Sequence, residues 1–255
     1  MPAISHHKLH GVMDMHLQFL RRRVGGLLCI IGFAMVLTYF ILLLQAPNHQ
    51  TMCQSEPVRT LIIDPGHGGE DGGAVASDGT QEADVNLQIA LRLRALAEFC
   101  GVPVVMTRDS SMIDYPTDAG TIAARKVADQ KQRVALINSV EHGTLISIHQ
   151  NFYPAAGPHG AEALYAATEH SEEFGKRLHN LLLETLDPSN RRVAAPISDE
   201  IYLMRNVNCP AVLVECGFLS NPEELERLQS NTYDQKLALV MLSAWLQYFQ
   251  TGWNL

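Results

Sequence analysis

The sequence predicts an α/β fold, a three-layer sandwich on a mainly parallel sheet of about six strands, preceded by one N-terminal transmembrane helix. Three observations predict it. At 255 residues the chain suits one well-buried domain plus a tail. Residues 24–44 carry no charge, and from Arg59 onward short apolar runs alternate with helical patterns.

The N-terminal segments come first. About 20 apolar residues at 1.5 Å rise match the roughly 30 Å hydrocarbon core of a bilayer. Arg21, Arg22 and Arg23 precede the run directly, and no Lys or Arg follows it until Arg59. The positive-inside rule then keeps residues 1–23 cytoplasmic and exports the rest, giving a single-pass protein of the cell membrane. A cleaved signal peptide has a shorter apolar region and a small-residue cleavage site. Here the run is longer and ends in LLLQAPN, which favours an uncleaved signal anchor over 24–44. Residues 45–58 are polar and turn-rich, a linker to a domain over 59–255.

Within that domain Thr60–Asp64 (TLIID) is strand-like and runs into a Gly-rich loop, Pro65 to Gln81. Val85, Ile89, Leu93 and Leu96 repeat at helical spacing. Strands are expected at 102–106, 145–148, 161–166, 201–205 and 211–214, and helices at 122–140, 169–186, 222–229 and 233–250. The helix before Asp187-Pro188 has to stop there, because proline cannot continue it.

Charge and cysteine content narrow the function. The chain carries 27 acidic against 19 basic residues, and four of the basic ones lie before residue 45. The exported part is therefore more acidic still, which argues against nucleic acid or anionic lipid headgroups as partners. Cys29, Cys53, Cys100, Cys209 and Cys216 form no CxxC pair, so neither a thiolate metal site nor a dense disulfide scaffold is indicated.

In open α/β sheets, ligands bind beyond the carboxyl ends of the strands. The first strand runs into Asp64-Pro65-Gly66-His67, the third into Ser147-Ile148-His149, and a late one into Glu215, while Glu82 opens the first helix. Two imidazoles, one carboxylate and a further Glu on one sheet edge are the inventory of a catalytic zinc site with an open position. Singly, His67 reads equally as a polar turn residue and Glu82 as a first-turn acid favoured by the helix dipole. His149 and Glu215 follow buried apolar runs, where an unpaired polar group is costly. His6, His7, His10 and His16 fall in the cytoplasmic tail. His170 and His179 read as a solvated helix face, His142 as a helix-end residue, and His159 as a loop residue beside the site.

DPGHGGEDGGA, the Glu in QEADVNL, TRD, SIHQN and VECGFLSNPEE, in that order, resemble the signature blocks of the zinc-dependent N-acetylmuramoyl-L-alanine amidase family (Amidase_3 type). The likeness spans about residues 60–250. It implies an α/β sandwich that binds Zn2+ through His67, Glu82 and His149, uses Glu215 as the catalytic acid/base, and acts on peptidoglycan. Asn151 matches a position beside the metal that touches substrate, and Arg133 and Asn138 a structural pair. Asp64 is a candidate to fix a histidine tautomer from behind the ligands.

Glutamine, asparagine and phenylalanine at 150–152 replace smaller residues after SIH and give a bulkier rim. The short stretch from Gln150 to Gly160 leaves no room for an inserted inhibitory helix, so control falls to expression, metal supply or an activator protein. One anchor, one domain and no wall-binding repeats resemble the germination-specific spore-cortex branch, with vegetative wall turnover as the rival role. Two other classes stay open. A zinc carboxypeptidase would need a pocket arginine, for which Arg205 is the candidate, and a non-catalytic wall-binding protein would need none of this chemistry.

Overall fold

A computed structural model of the chain describes residues 57–116 and 119–250, together with Met35 and Thr38. The chain divides into two compact units, residues 1–56 and 57–255. Of the first, only Met35 and Thr38 are described, both helical and exposed. The anchor expected at 24–44 thus lies, those two positions apart, outside the described residues, as does most of the 45–58 linker. No helix among the described residues is long and apolar enough to cross a membrane.

The second unit runs β1 (Thr60–Pro65), α1 (Glu82–Phe99), β2 (Val104–Met106), α2 (Ile122–Asn138), β3 (Gly143–Asn151), β4 (Glu162–Tyr165), α3 (Ser171–Leu186), β5 (Ala195–Pro196), α4 (Tyr202–Asn206), β6 (Ala211–Phe218), α5 (Pro222–Leu228) and α6 (Asn231–Gln250). Six strands form one sheet in the order β2-β1-β3-β6-β4-β5. All neighbours are parallel except β4, which runs antiparallel to β6.

Strand alternation supplies both faces of the sheet. Leu61 and Ile63 of β1 join one buried cluster, while Ile62 between them joins the other. Val212 and Val214 of β6 likewise face the first, and Ala211 and Leu213 the second. Side chains two apart share a face, so central strands buried on both sides must be apolar throughout. The larger face packs under α1, α3 and α6, with α6 against both of its neighbours. The smaller face takes Ile137 of α2 and Leu203 and Met204 of α4.

Residues 201–205 are not a strand. Tyr202–Asn206 is a short helix, closed by Arg205 N–H donating to the Ile201 carbonyl at 3.1 Å. Its adjacent Leu203 and Met204 both turn into the smaller core, which a helical turn permits and a period-two strand does not. The strand that completes the six in its place is β5, Ala195–Pro196, paired with β4 at the sheet edge, where a proline costs no ladder hydrogen bond.

Candidate active site

The register of the sheet assembles the site. His149 on β3 stands opposite Glu215 on β6, and Glu215 stands opposite Glu162 on β4. Beyond β1 the chain turns through His67, Gly68 and Gly69, all at positive φ. Gly66 must be a glycine, because a Cβ there would lie 2.2 Å from Nε2 of His149. Gly73, at φ 68°, has Glu82 Oε2 within 2.6 Å of the place a Cβ would occupy.

Glu82 sits at the centre, 4 % exposed. Its Oε2 accepts from Ala74 N–H at 2.9 Å, and its Oε1 accepts from Gln150 N–H at 3.1 Å and Asn86 Nδ2 at 3.4 Å. Nδ1 of His149 lies 3.0 Å from Oε1, and Nε2 of His67 lies 3.3 Å from Oε2. The two rings meet edge to face with centroids 5.0 Å apart. One donor atom from each of His67, Glu82 and His149 falls within 4.8 Å of the others, a group able to hold a metal ion.

The electrostatics fit a cation. Burial would raise the Glu82 carboxyl, yet hydrogen bonds and charge from His149 and His67 hold it well below the usual range. Burial alone would lower His67, but Glu82 and then Asp71 carry it up to about 9. Glu215 behaves oppositely. Burial pushes its carboxyl up to about 7, with His149 pulling down and Glu82 and Glu162 pushing further up. Its Oε2 is buried and has no hydrogen-bond partner. A cleft of about 260 Å³ joins Asp64, His67, His149 and Glu215 to a wall formed by Gln130 of α2 and Glu200, Ile201 and Tyr202 at the start of α4.

The structure therefore brings His67, Glu82, His149 and Glu215 to one place, with Asp64 lining the same cleft. Asp64 hydrogen-bonds neither imidazole. Its carboxylate accepts from Thr107 at 2.6 Å, Ser147 at 2.6 Å and Arg133 at 2.9 Å. Burial would raise it, but Arg133, Ser147 and Thr107 keep it below its ordinary value. Arg205 is exposed on α4, with its guanidinium 6.0 Å from the centre of the Tyr202 ring, and is not among the residues that line the cleft. Asn151 donates to Glu162 Oε1 at 3.1 Å, and Asn138 bridges Asn206 and Asn208. His159 is exposed and 3.8 Å from Asp187.

His179 is not on a solvated face. It is 2 % exposed, accepting from Ala163 N–H at Nδ1 and bonding the Arg192 carbonyl at 2.8 Å through Nε2. Those bonds satisfy both nitrogens, which is why α3 can bury it beneath β4. His170 precedes α3 at φ 64° and is largely covered.

Sequence patterns also pass over two residues that hold the ligand loop. Buried Arg108 donates to the carbonyls of Pro65, Gly66 and Ala83. Asp71 meets His67 Nδ1 at 3.0 Å. Both stand inside the TRD and DPGHGGEDGGA blocks, and the four-residue spacing from His67 to Asp71 is the signal that could have found the second.

Comparison with known proteins agrees with this geometry. Residues 61–244 match the model of the N-acetylmuramoyl-L-alanine amidase family (Amidase_3). The germination-specific N-acetylmuramoyl-L-alanine amidase of Bacillus subtilis strain 168 is 36 % identical over 234 residues, covering 90 % of this chain and 97 % of that protein. The sporulation-specific amidase of the same organism is 29 % identical over 180 residues, covering 70 % of this chain and 63 % of that one. The CwlD amidase from Clostridioides difficile, solved in complex with the GerS lipoprotein, superposes with TM-score 0.73 at 34 % identity, over 76 % of this chain and 100 % of its own.

Proposed function

The chain belongs to the N-acetylmuramoyl-L-alanine amidase family and is a peptidoglycan amidase; on that premise we propose that it works with a zinc ion held by His67, Glu82 and His149 and with Glu215 as the proton carrier. The observation that carries this reading is the pairing of a two-histidine, one-carboxylate cluster around buried Glu82 with a second carboxylate, Glu215, on the same cleft, whose Oε2 has no hydrogen-bond partner.

Zinc in such a site supplies a Lewis acid that polarises the scissile carbonyl and acidifies water. The protein's own groups do the rest. Glu215 accepts the proton of the attacking water as the lactyl amide is opened, then returns it to the departing L-alanine amine. Burial, with Glu82 and Glu162 nearby, pushes its carboxyl up to about 7 against the pull of His149, so near neutral pH the group can both take up and give back a proton. The bond broken joins N-acetylmuramic acid to L-alanine, leaving bare muramic acid and a free stem peptide.

The setting we propose is the spore cortex, supported by the germination- and sporulation-specific relatives. Residues 24–44, uncharged and flanked by Arg21–Arg23, support a membrane anchor with the catalytic domain on the wall side. The lipoprotein seen with the clostridial amidase supports an activator or docking protein here too.

Digestion of stem-bearing cortex peptidoglycan by the full-length, zinc-loaded chain tests the reading. Mass spectrometry should find muramic acid without peptide, absent with Glu215→Gln. Release of single amino acids from stem termini would instead make this a peptidase and sink the proposal.

A further inference from the structure

The loop that carries His67 is built to return on itself. Gly68 N–H donates to the Asp71 carbonyl at 2.8 Å and Asp71 N–H to the Gly68 carbonyl at 3.0 Å. This closure, made possible by three successive residues at positive φ, swings the Asp71 carboxylate back onto the imidazole four residues earlier. Oδ2 of Asp71 then lies 3.0 Å from Nδ1 of His67, while Nε2 of the same ring faces Glu82.

A neutral imidazole carries one proton. A carboxylate beside Nδ1 accepts a hydrogen bond from that proton, which holds it on Nδ1 and leaves the Nε2 lone pair directed at the cluster. The carboxylate is itself held. Lys126 of α2 contacts Oδ1 at 2.6 Å, and Gly73 N–H donates to the same atom at 3.3 Å. Helix α2 meets the loop at two further points, Arg125 with Glu70 and Arg133 with the His67 carbonyl. Only Arg133 and Ile137 are buried in this helix, so polar contacts, more than apolar packing, fasten it over the loop.

We propose that Asp71, braced by Lys126, is a positioning residue for the metal centre, fixing the tautomer and ring orientation in which His67 presents Nε2 to a cation. This rests on the zinc reading above. It departs from the role first expected of Asp64, whose carboxylate is spent on Arg133, Thr107 and Ser147. Because Lys126 is about half exposed, its share of the bracing is screened by salt.

The test is zinc affinity of the full-length, metal-free chain, titrated against a chelating fluorophore, with cobalt absorption as a second readout of ligand geometry. Asp71→Asn keeps the shape and removes the charge. It should weaken zinc binding about 10–100-fold and shift the cobalt bands, while the zinc-free protein melts where the wild type does. Lys126→Met should give a smaller loss that shrinks at high salt, and Lys126→Arg should restore affinity. If Asp71→Asn binds zinc as the wild type does, or if its loss of affinity is matched by an equal fall in zinc-free stability, the inference is overturned. His67→Ala separates the two readings. A wild type that binds zinc no better than His67→Ala would remove the zinc reading itself and this one with it. A difference between those two, with Asp71→Asn unchanged, would sink this inference alone.

Discussion

Glu215, the proton carrier proposed above, illustrates how a residue that is costly to the fold can suit the proposed chemistry. Its carboxyl is buried, faces two other carboxylates, and leaves Oε2 without a hydrogen bond. Replacing it by Gln should lower amidase activity about 10²–10⁴-fold, the usual contribution of a positioned acid/base. Zinc affinity should be nearly unchanged in the same variant; a parallel loss in a metal titration would make Glu215 a ligand instead. Gly66 offers a test of crowding. With His149 Nε2 only 2.2 Å from where a Cβ would sit, Gly66→Ala must displace that imidazole. Zinc binding should fall at least tenfold, by analogy with the loss of an orienting partner, while circular dichroism stays native.

Among the elements, the contrast between α2 and α6 is informative. Helix α6 buries nine residues, including Leu237, Met241 and Trp245, and packs against α1 and α3. Its first turn also carries Asp234, 1 % exposed, with no hydrogen bond to either oxygen and only an ion pair to Arg92 of α1 at 3.5 Å. Burial pushes that carboxyl up to about 6, against the pull of Arg92. A raised folded-state value means the stabilising contribution is complete below the unfolded value, near 4, and is lost as pH rises through 6. Asp234→Asn should therefore change stability little at pH 4 and raise it by about 3 kcal/mol at pH 8. Urea unfolding at the two pH values would show it, and an equal effect at both would refute the account. Helix α2 depends on Arg133 instead, which is buried against Asp64, Asp129 and the carbonyls of Pro65 and His67.

For the molecule as a whole, the metal should be part of the stability of the domain. A ligand that binds only the folded state, present at about a thousand times its dissociation constant, contributes about 4 kcal/mol. In a domain of this size that corresponds to a change in Tm on the order of 10 °C. Dialysis against a chelator should lower Tm by that amount and zinc should restore it in calorimetry; no change on chelation would count against a zinc site formed from the cluster around buried Glu82.

Much of this was legible in residue order alone. The TLII of residues 60–63 and the PAVLV of residues 210–214 read as buried strands, since charge-free runs of that length have no solvated face. Strands that run toward His67 and through His149 and Glu215 bring those residues to one edge of a parallel sheet. The signature blocks carried the family for the same reason: they are local, and local chemistry survives in a sequence. Five residues of mixed polarity, Ile201–Arg205, fit either period, and only the pull of Leu203 and Met204 into one core made them helical. His179 reads as a surface residue until β4 and the Arg192 carbonyl satisfy both of its nitrogens. The partner of His67 turned on the tertiary structure as well. Asp64 and Asp71 are both near in sequence, but Arg133, arriving from α2, claims the first, and a turn of three positive-φ residues delivers the second. Periodicity and strand position are properties of a segment, so sequence alone pointed to the layers and to the sheet edge where His67, Glu82 and His149 meet. The pairing of buried charges depends on which distant groups arrive beside them, and that only the folded chain decided.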